Sequence, residues 1–139
     1  MHCGYNSDLT RTVFLGRINR KYLQIYNIVL ASQVTAIERL KPGMYAKDID
    51  SVSRKYISDK GMGRFFLHSL GHGIGREPHE IPAISQNSKI KLERGMVITI
   101  EPGIYIPGWG GVRIEDTVLV TEKGCEVLTE RAVKYAGRD

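Results

Sequence analysis

The sequence predicts an α+β domain in which helices pack on one face of an antiparallel sheet. Three observations support this fold class. An alternating β-like segment opens the chain, two stretches with helical periodicity follow it, and the second half consists mostly of short β-branched runs separated by glycine-rich turns. The chain has 139 residues, enough for one domain with its own core.

The first strand and the long helix are predicted from local signals. Residues 5–15 alternate and are rich in Thr, Val, Phe and Leu, which predicts a strand that Gly16 ends. Asn19 is the expected N-cap of a helix that runs to about Leu40. One apolar stripe at helical spacing marks the face expected to be buried; it comprises Tyr22, Tyr26, Val29, Ala36 and Leu40.

A second helix and four further strands complete the prediction. The helix is expected over about 46–59, with Gly61 as its C-terminal stop, and without a clear N-cap. Its buried residues are expected to be Ile49, Val52 and Tyr56. The strands are expected at about 65–71, 96–101, 112–121 and 126–129.

The composition excludes several function classes. No apolar run approaches the ~18 residues that a membrane span needs, and no signal peptide pattern opens the chain, so we expect a cytoplasmic protein without a membrane partner. The net charge is +5, but the basic residues are scattered, which disfavours a nucleic-acid partner. Cys3 and Cys125 lie far apart and are expected to be reduced thiols.

A cluster of histidines and glutamates is the strongest functional signal. Three of the four histidines, His68, His72 and His79, fall in one twelve-residue window rich in glycine. Glu101 and Glu115 lie on either side of a turn-rich connector. Imidazole and carboxylate together suit Zn, Mn, Co or Fe. The alternatives are histidines buried as ordinary core residues and a pair of exposed strand glutamates.

The two glutamates are expected to face each other. A hairpin closing near Gly108 would place Glu101 opposite Glu115, with Cβ atoms ~5 Å apart. Two ionised carboxylates at that separation repel unless cations lie between them or one is protonated. In the first strand, alternation places Asp8 on the same face as Thr10 and Thr12.

Four motifs occur in order along the chain: Gly4-Tyr5-x-Ser7-Asp8-x-Thr10-Arg11-Thr12, His68-x-x-x-His72-Gly-Ile-Gly-x-x-x-His79-Glu80, Ile100-Glu101-Pro-Gly-Ile-Tyr and Val112-Arg113-Ile-Glu115-Asp116. Together they resemble the catalytic domain of the pita-bread metallopeptidases, which include methionine aminopeptidases, prolidases and Xaa-Pro aminopeptidases. The residues around Glu101 and Glu115 resemble the proline-specific branch more than the methionine aminopeptidases.

The resemblance implies a site for two divalent metal ions and a peptide substrate with proline at the second position. Asp8 and Glu115 would bridge both ions, while His72 and Glu101 would each bind one. A hydroxide held between the ions would attack the scissile carbonyl. His79 would act catalytically beside the bond being cut, and His68 and Arg113 would shape the substrate pocket.

One departure from the family pattern concerns the ligand set. The family has a further aspartate ligand upstream of the one matched by Asp8, and the sequence has no room for it. We therefore expect residues 1–139 to be the C-terminal portion of a pita-bread (creatinase/aminopeptidase-like) fold, with a curved antiparallel sheet, and to be inactive alone and oligomeric. The alternative functions are a non-catalytic binding module on this fold and a creatinase-type hydrolase. Retention of Glu101 and Glu115 disfavours the second alternative.

Overall fold

A five-stranded antiparallel sheet carries His72, and Glu101, Glu115 and His79 lie directly beside the ends of its strands. The structure is a computed structural model and describes residues 3–134 of the chain. The strand order in the sheet is β2-β1-β3-β6-β7, and β4 and β5 form a separate two-stranded hairpin. The strands are β1 Gly71–Gly73, β2 Glu80–Ile84, β3 Val97–Ile100, β4 Gly103–Ile106, β5 Gly110–Arg113, β6 Asp116–Val120 and β7 Cys125–Val127.

The two helices have the bounds that their local signals predict. Helix α1 spans Arg20–Arg39, and the side chain of Asn19 accepts a hydrogen bond from the Tyr22 amide as an N-cap. Helix α2 spans Ala46–Asp59, and no side chain caps its first turn. Gly61 has a φ of 74°, the left-handed conformation that ends many helices. Within the described residues, neither helix is long and apolar enough to cross a membrane.

The predicted apolar stripe of α1 is the side that packs into the core. All five of its residues are buried, together with Ile25 and Ile28. On α2 the prediction is only partly correct. Ile49 is fully buried, but Val52 and Tyr56 are half-buried, and Ile57 fills the core instead. The helices pack against each other and against a sheet face formed by Ile84, Ile98, Ile100, Val118 and Val120.

Three predictions of strands are wrong. Residues 5–15 are extended but form no named strand, because their backbone pairing is limited to isolated contacts such as the bridge between Thr10 and Glu115. The segment at 65–71 begins at the last residue of a 3-10 turn, Gly63–Phe65, and continues as an irregular loop up to β1. The expected strand at 112–121 is two strands, β5 and β6. Strands β2 and β4 lie in segments where no strand was predicted.

Candidate metal centre

The register of two antiparallel ladders sets the glutamates against each other. Ile100 of β3 pairs with Asp116 of β6, and Gly103 of β4 pairs with Arg113 of β5. Glu101 and Glu115 occupy the opposed positions between these two ladders. The hairpin turn lies at 107–109, which confirms the prediction of a turn near Gly108.

Asp8, His72 and Glu115 come together from three distant parts of the chain. One candidate ligand atom from each residue lies within 4.8 Å of the other two. Glu101 adds a fourth group, because its Oε1 is 3.3 Å from His72 Nε2. The structure thus brings these four side chains together, whereas their role as metal ligands stays a prediction.

Backbone contacts hold His72 in one tautomer. Its Nδ1 lies 2.9 Å from the carbonyl oxygen of Gly73, which can only accept a hydrogen bond. In the neutral ring Nδ1 then carries the proton, and Nε2 presents a lone pair toward Asp8 and Glu101. Gly71, beside His72, has no room for a side chain, since a Cβ there would collide with the backbone carbonyl of Thr99.

Hydroxyl groups orient the two glutamates. Thr10 Oγ1 donates a 2.5 Å hydrogen bond to Glu115 Oε2, and Thr99 Oγ1 donates one of 3.2 Å to Glu101 Oε1. The same Thr99 hydroxyl accepts the His72 amide at 3.0 Å, so it links two of the candidate ligands. Sequence reasoning missed Thr99, although its position two residues before Glu101 on a strand places both on one face.

Burial affects the protonation of both glutamates. Loss of solvent raises the pKa of Glu101, although His72 and the Thr99 hydroxyl oppose the shift. Loss of solvent likewise raises the pKa of Glu115, which is only 2% exposed, and the negative charges of Glu101 and Asp8 add to the effect. Ionised carboxylates in this position therefore need a compensating positive charge.

The three remaining predicted residues line a cleft of about 830 Å³ beside these ligands. The ring centroid of His79 is 4.2 Å from that of His72. His68 Nε2 is 2.9 Å from the Tyr105 hydroxyl, which also accepts a hydrogen bond of 3.5 Å from Arg113. Burial lowers the pKa of His68, and the positive charge of Arg113 adds to this.

Tyr105 and Thr10 connect the cleft wall to the candidate ligands. Arg113 Nε donates a 3.2 Å hydrogen bond to Thr10 Oγ1, and Thr10 in turn donates to Glu115. The hydrogen bond to Tyr105 raises the pKa of Arg113, which therefore stays a cation. No spacing rule pointed to Tyr105, because its contact with His68 joins β4 to an irregular loop.

Comparison with known proteins places the chain in a family. The model of metallopeptidase family M24 matches residues 1–122. A Xaa-Pro dipeptidase from Pyrococcus furiosus is 59% identical over 126 residues, which cover 91% of this chain and 36% of that relative. The chain thus spans about a third of the length of the curated relatives it matches.

Two solved structures show the same fold. The Xaa-Pro dipeptidase from Bacillus anthracis superposes with a TM-score of 0.93 at 49% identity, over 96% of this chain and 37% of that one. The X-Pro aminopeptidase from Thermotoga maritima superposes with a TM-score of 0.88 at 47% identity, over 91% of this chain and 36% of that one. The predicted pita-bread fold is confirmed, and the chain belongs to metallopeptidase family M24.

Proposed function

We propose that this chain supplies the greater part of the metal site of a metal-dependent exopeptidase that cleaves Xaa-Pro bonds. The observation that carries the proposal is the convergence of Asp8, His72 and Glu115 within 4.8 Å, with Glu101 beside His72. These side chains come from four separate segments of the chain. Convergence of this kind places several costly carboxylates together, which a bound cation would compensate.

The donor set fits divalent transition metals. Three carboxylates and one imidazole suit Mn, Co, Zn or Fe, and the hydrogen bond from His72 Nδ1 to Gly73 leaves Nε2 free to bind. We propose that Asp8, His72, Glu101 and Glu115 would together hold two such ions in a complete site. When bound, such ions polarise a carbonyl group and lower the pKa of water.

The cleft residues have separate roles in this proposal. His79, whose ring lies against that of His72, is placed to hold or transfer a proton at the scissile peptide bond. His68 and Arg113 bind the substrate, and Tyr105 keeps them in a fixed relation through its hydroxyl. The Arg113 guanidinium offers a positive charge to a substrate carbonyl or carboxylate.

The proposed substrate class rests on the relatives of this chain. Their names specify Xaa-Pro dipeptidase and X-Pro aminopeptidase activities, so we propose a peptide with proline at the second position as the substrate. The alternative, a non-catalytic binding module on the same fold, would retain the fold without hydrolysis. Preservation of the four grouped ligands favours the enzyme.

The ligand set implied by the resemblance includes one more aspartate than this chain offers. We propose that this aspartate belongs to a segment outside residues 1–139, so that the chain alone binds metal with modest affinity and has little activity. Positioning matters here, because a misplacement of about 1 Å in an active site can reduce the rate by ~10²-fold.

Two measurements test this function. Isothermal titration with Mn²⁺ should show binding to the chain that is lost in His72→Ala and in Glu115→Gln. The control is Glu122→Gln, an exposed glutamate whose partner is Arg94, and it should bind as the unaltered chain does.

The second measurement is hydrolysis of Ala-Pro and Ala-Ala by a polypeptide that joins these residues to the rest of a family-length catalytic domain. Metal-dependent cleavage of Ala-Pro alone supports the proposal, and His72→Ala should abolish it. Metal binding without any hydrolysis would contradict it and favour the binding module.

A further inference from the structure

We propose that the ion pair between Asp50 and Arg54 on α2 is a positioning device that holds the loop 66–70, and with it the imidazole of His68, in the wall of the cleft. The contact of His68 with a substrate rests on the proposed function, whereas the anchoring of the loop does not. Asp50 and Arg54 are therefore positioning residues and touch no reacting group.

The pair is bidentate and buried. Arg54 Nε lies 2.8 Å from Asp50 Oδ2, and a terminal nitrogen of Arg54 lies 2.9 Å from Oδ1. The Asp50 side chain is fully buried and that of Arg54 is 19% exposed. A buried pair of this kind adds little to stability compared with apolar side chains, so its retention calls for another reason.

The hydrogen bonds that extend beyond the pair all go to alternate residues of one loop. Arg54 donates to the carbonyl oxygens of Phe66 at 3.0 Å and His68 at 2.8 Å. Asp50 Oδ1 accepts the Leu70 amide at 3.1 Å. The Arg54 guanidinium carbon also lies 4.1 Å from the centroid of the Phe66 ring, so the guanidinium contacts the loop both through its N–H groups and through its planar face.

The loop depends on these contacts because residues 66–69 belong to no helix or strand. His68 is oriented within it by a hydrogen bond of 2.8 Å between Nδ1 and the Ser69 carbonyl, which places the proton on Nδ1. Its Nε2 then accepts from the Tyr105 hydroxyl. Loss of the hydrogen bond from Arg54 to the His68 carbonyl would let this backbone move, and the ring contacts of His68 with Ser69 and Tyr105 depend on its position.

The same helix contains a matched control. Lys55 and Asp59 form an ion pair at the same i, i+4 spacing, also at 2.8 Å, but their side chains are 76% and 60% exposed. Because both charges are exposed to solvent, this ion pair is expected to contribute little to stability. A comparison of the two pairs therefore separates an effect on the loop from the general loss of a charge on α2.

The experiment is ¹⁵N NMR of the histidine imidazoles in the full chain, with His68 identified through His68→Gln. In the unaltered chain and in Lys55→Met we expect one Nδ1–H tautomer of His68. In Arg54→Met the preference should be lost and the signal averaged between tautomers. Arg54→Lys should behave like Arg54→Met, because a lysine restores the charge without the fork that reaches both carbonyls.

Two results would overturn the proposal. One is an unchanged His68 signal in folded Arg54→Met; the other is full rescue by Arg54→Lys, which would mean that charge alone matters. If Arg54→Met does not fold, Asp50→Asn takes its place, since it keeps the shape of the side chain and weakens the pair. An unchanged His68 signal in Asp50→Asn would then overturn the proposal.

An activity measurement separates this proposal from the function on which it partly rests. In a polypeptide active on Ala-Pro, Arg54→Met should lower kcat/KM by up to ~10²-fold while Lys55→Met changes it by less than about twofold. An altered His68 signal in a protein without peptidase activity would uphold the anchoring and reject the proposed function. An unaltered signal in an active enzyme would reject the anchoring alone.

Discussion

Replacement of Arg11 by Met should destabilise the fold strongly, although Arg11 lies outside the cleft. Its guanidinium forms a 2.6 Å ion pair with Asp116, whose side chain is fully buried, and donates to the carbonyl oxygens of Glu115 and Ala132. Breaking a buried pair by removing one partner costs about 3–5 kcal/mol, since a buried charge is left behind. Lys134 Nζ lies 2.5 Å from the second carboxylate oxygen of Asp116 and would still compensate part of the buried charge in the variant. We therefore expect Arg11→Met to lower the free energy of unfolding by about 3 kcal/mol.

Equilibrium unfolding in urea measures this loss. With a slope of about 2 kcal/mol per molar urea, the midpoint of Arg11→Met should fall by about 1.5 M. The control is Arg94→Met, which breaks the ion pair with Glu122 at the same 2.6 Å separation. Those side chains are 71% and 67% exposed, so the expected loss is 0 to about 1 kcal/mol. Equal losses in the two variants would refute the argument from burial.

Four further predictions concern the site and the surface. Burial lowers the pKa of His68, so its ring should stay neutral at a pH where free imidazole is half protonated. The free energy of unfolding should then rise with pH through that range, because the unfolded state binds more protons there. An NMR titration that gives His68 a pKa at or above that of free imidazole would contradict this. Titration of the isolated chain with Mn²⁺ should show at most one site of modest affinity, and two tight sites would exclude a missing ligand. Gly71→Ala should weaken Mn²⁺ binding because its Cβ would strike the backbone of Thr99, whereas in Gly75→Ala the new Cβ meets only a movable side chain; equal binding by both would count against the packing argument. The exposed apolar side chains within residues 5–15 predict self-association, and sedimentation velocity should then show a dimer or larger species, not a monomer at every concentration.

Local signals in the sequence determined the helices and pointed to a candidate metal site through the spacing of its histidines and glutamates. The cap at Asn19 and the left-handed Gly61 act within one or two turns of the chain, so they mark helix ends without reference to distant residues. The opposed positions of Glu101 and Glu115 could also be predicted from the sequence, because a tight turn at 107–109 fixes the register of the strands on either side of it.

Only the tertiary structure decided which segments pair and how the site residues are held. Strand β1 is Gly-His-Gly, which has no strand propensity of its own, and it forms because β2 and β3 pair with its two edges. The extended segment at 5–15 alternates as a strand should, yet its backbone pairing is confined to isolated contacts. The contacts of Arg54 with the loop of His68, and of Thr10 with Glu115, join residues far apart in sequence. Such contacts depend on how separate elements pack, and no periodicity or spacing within one segment encodes them.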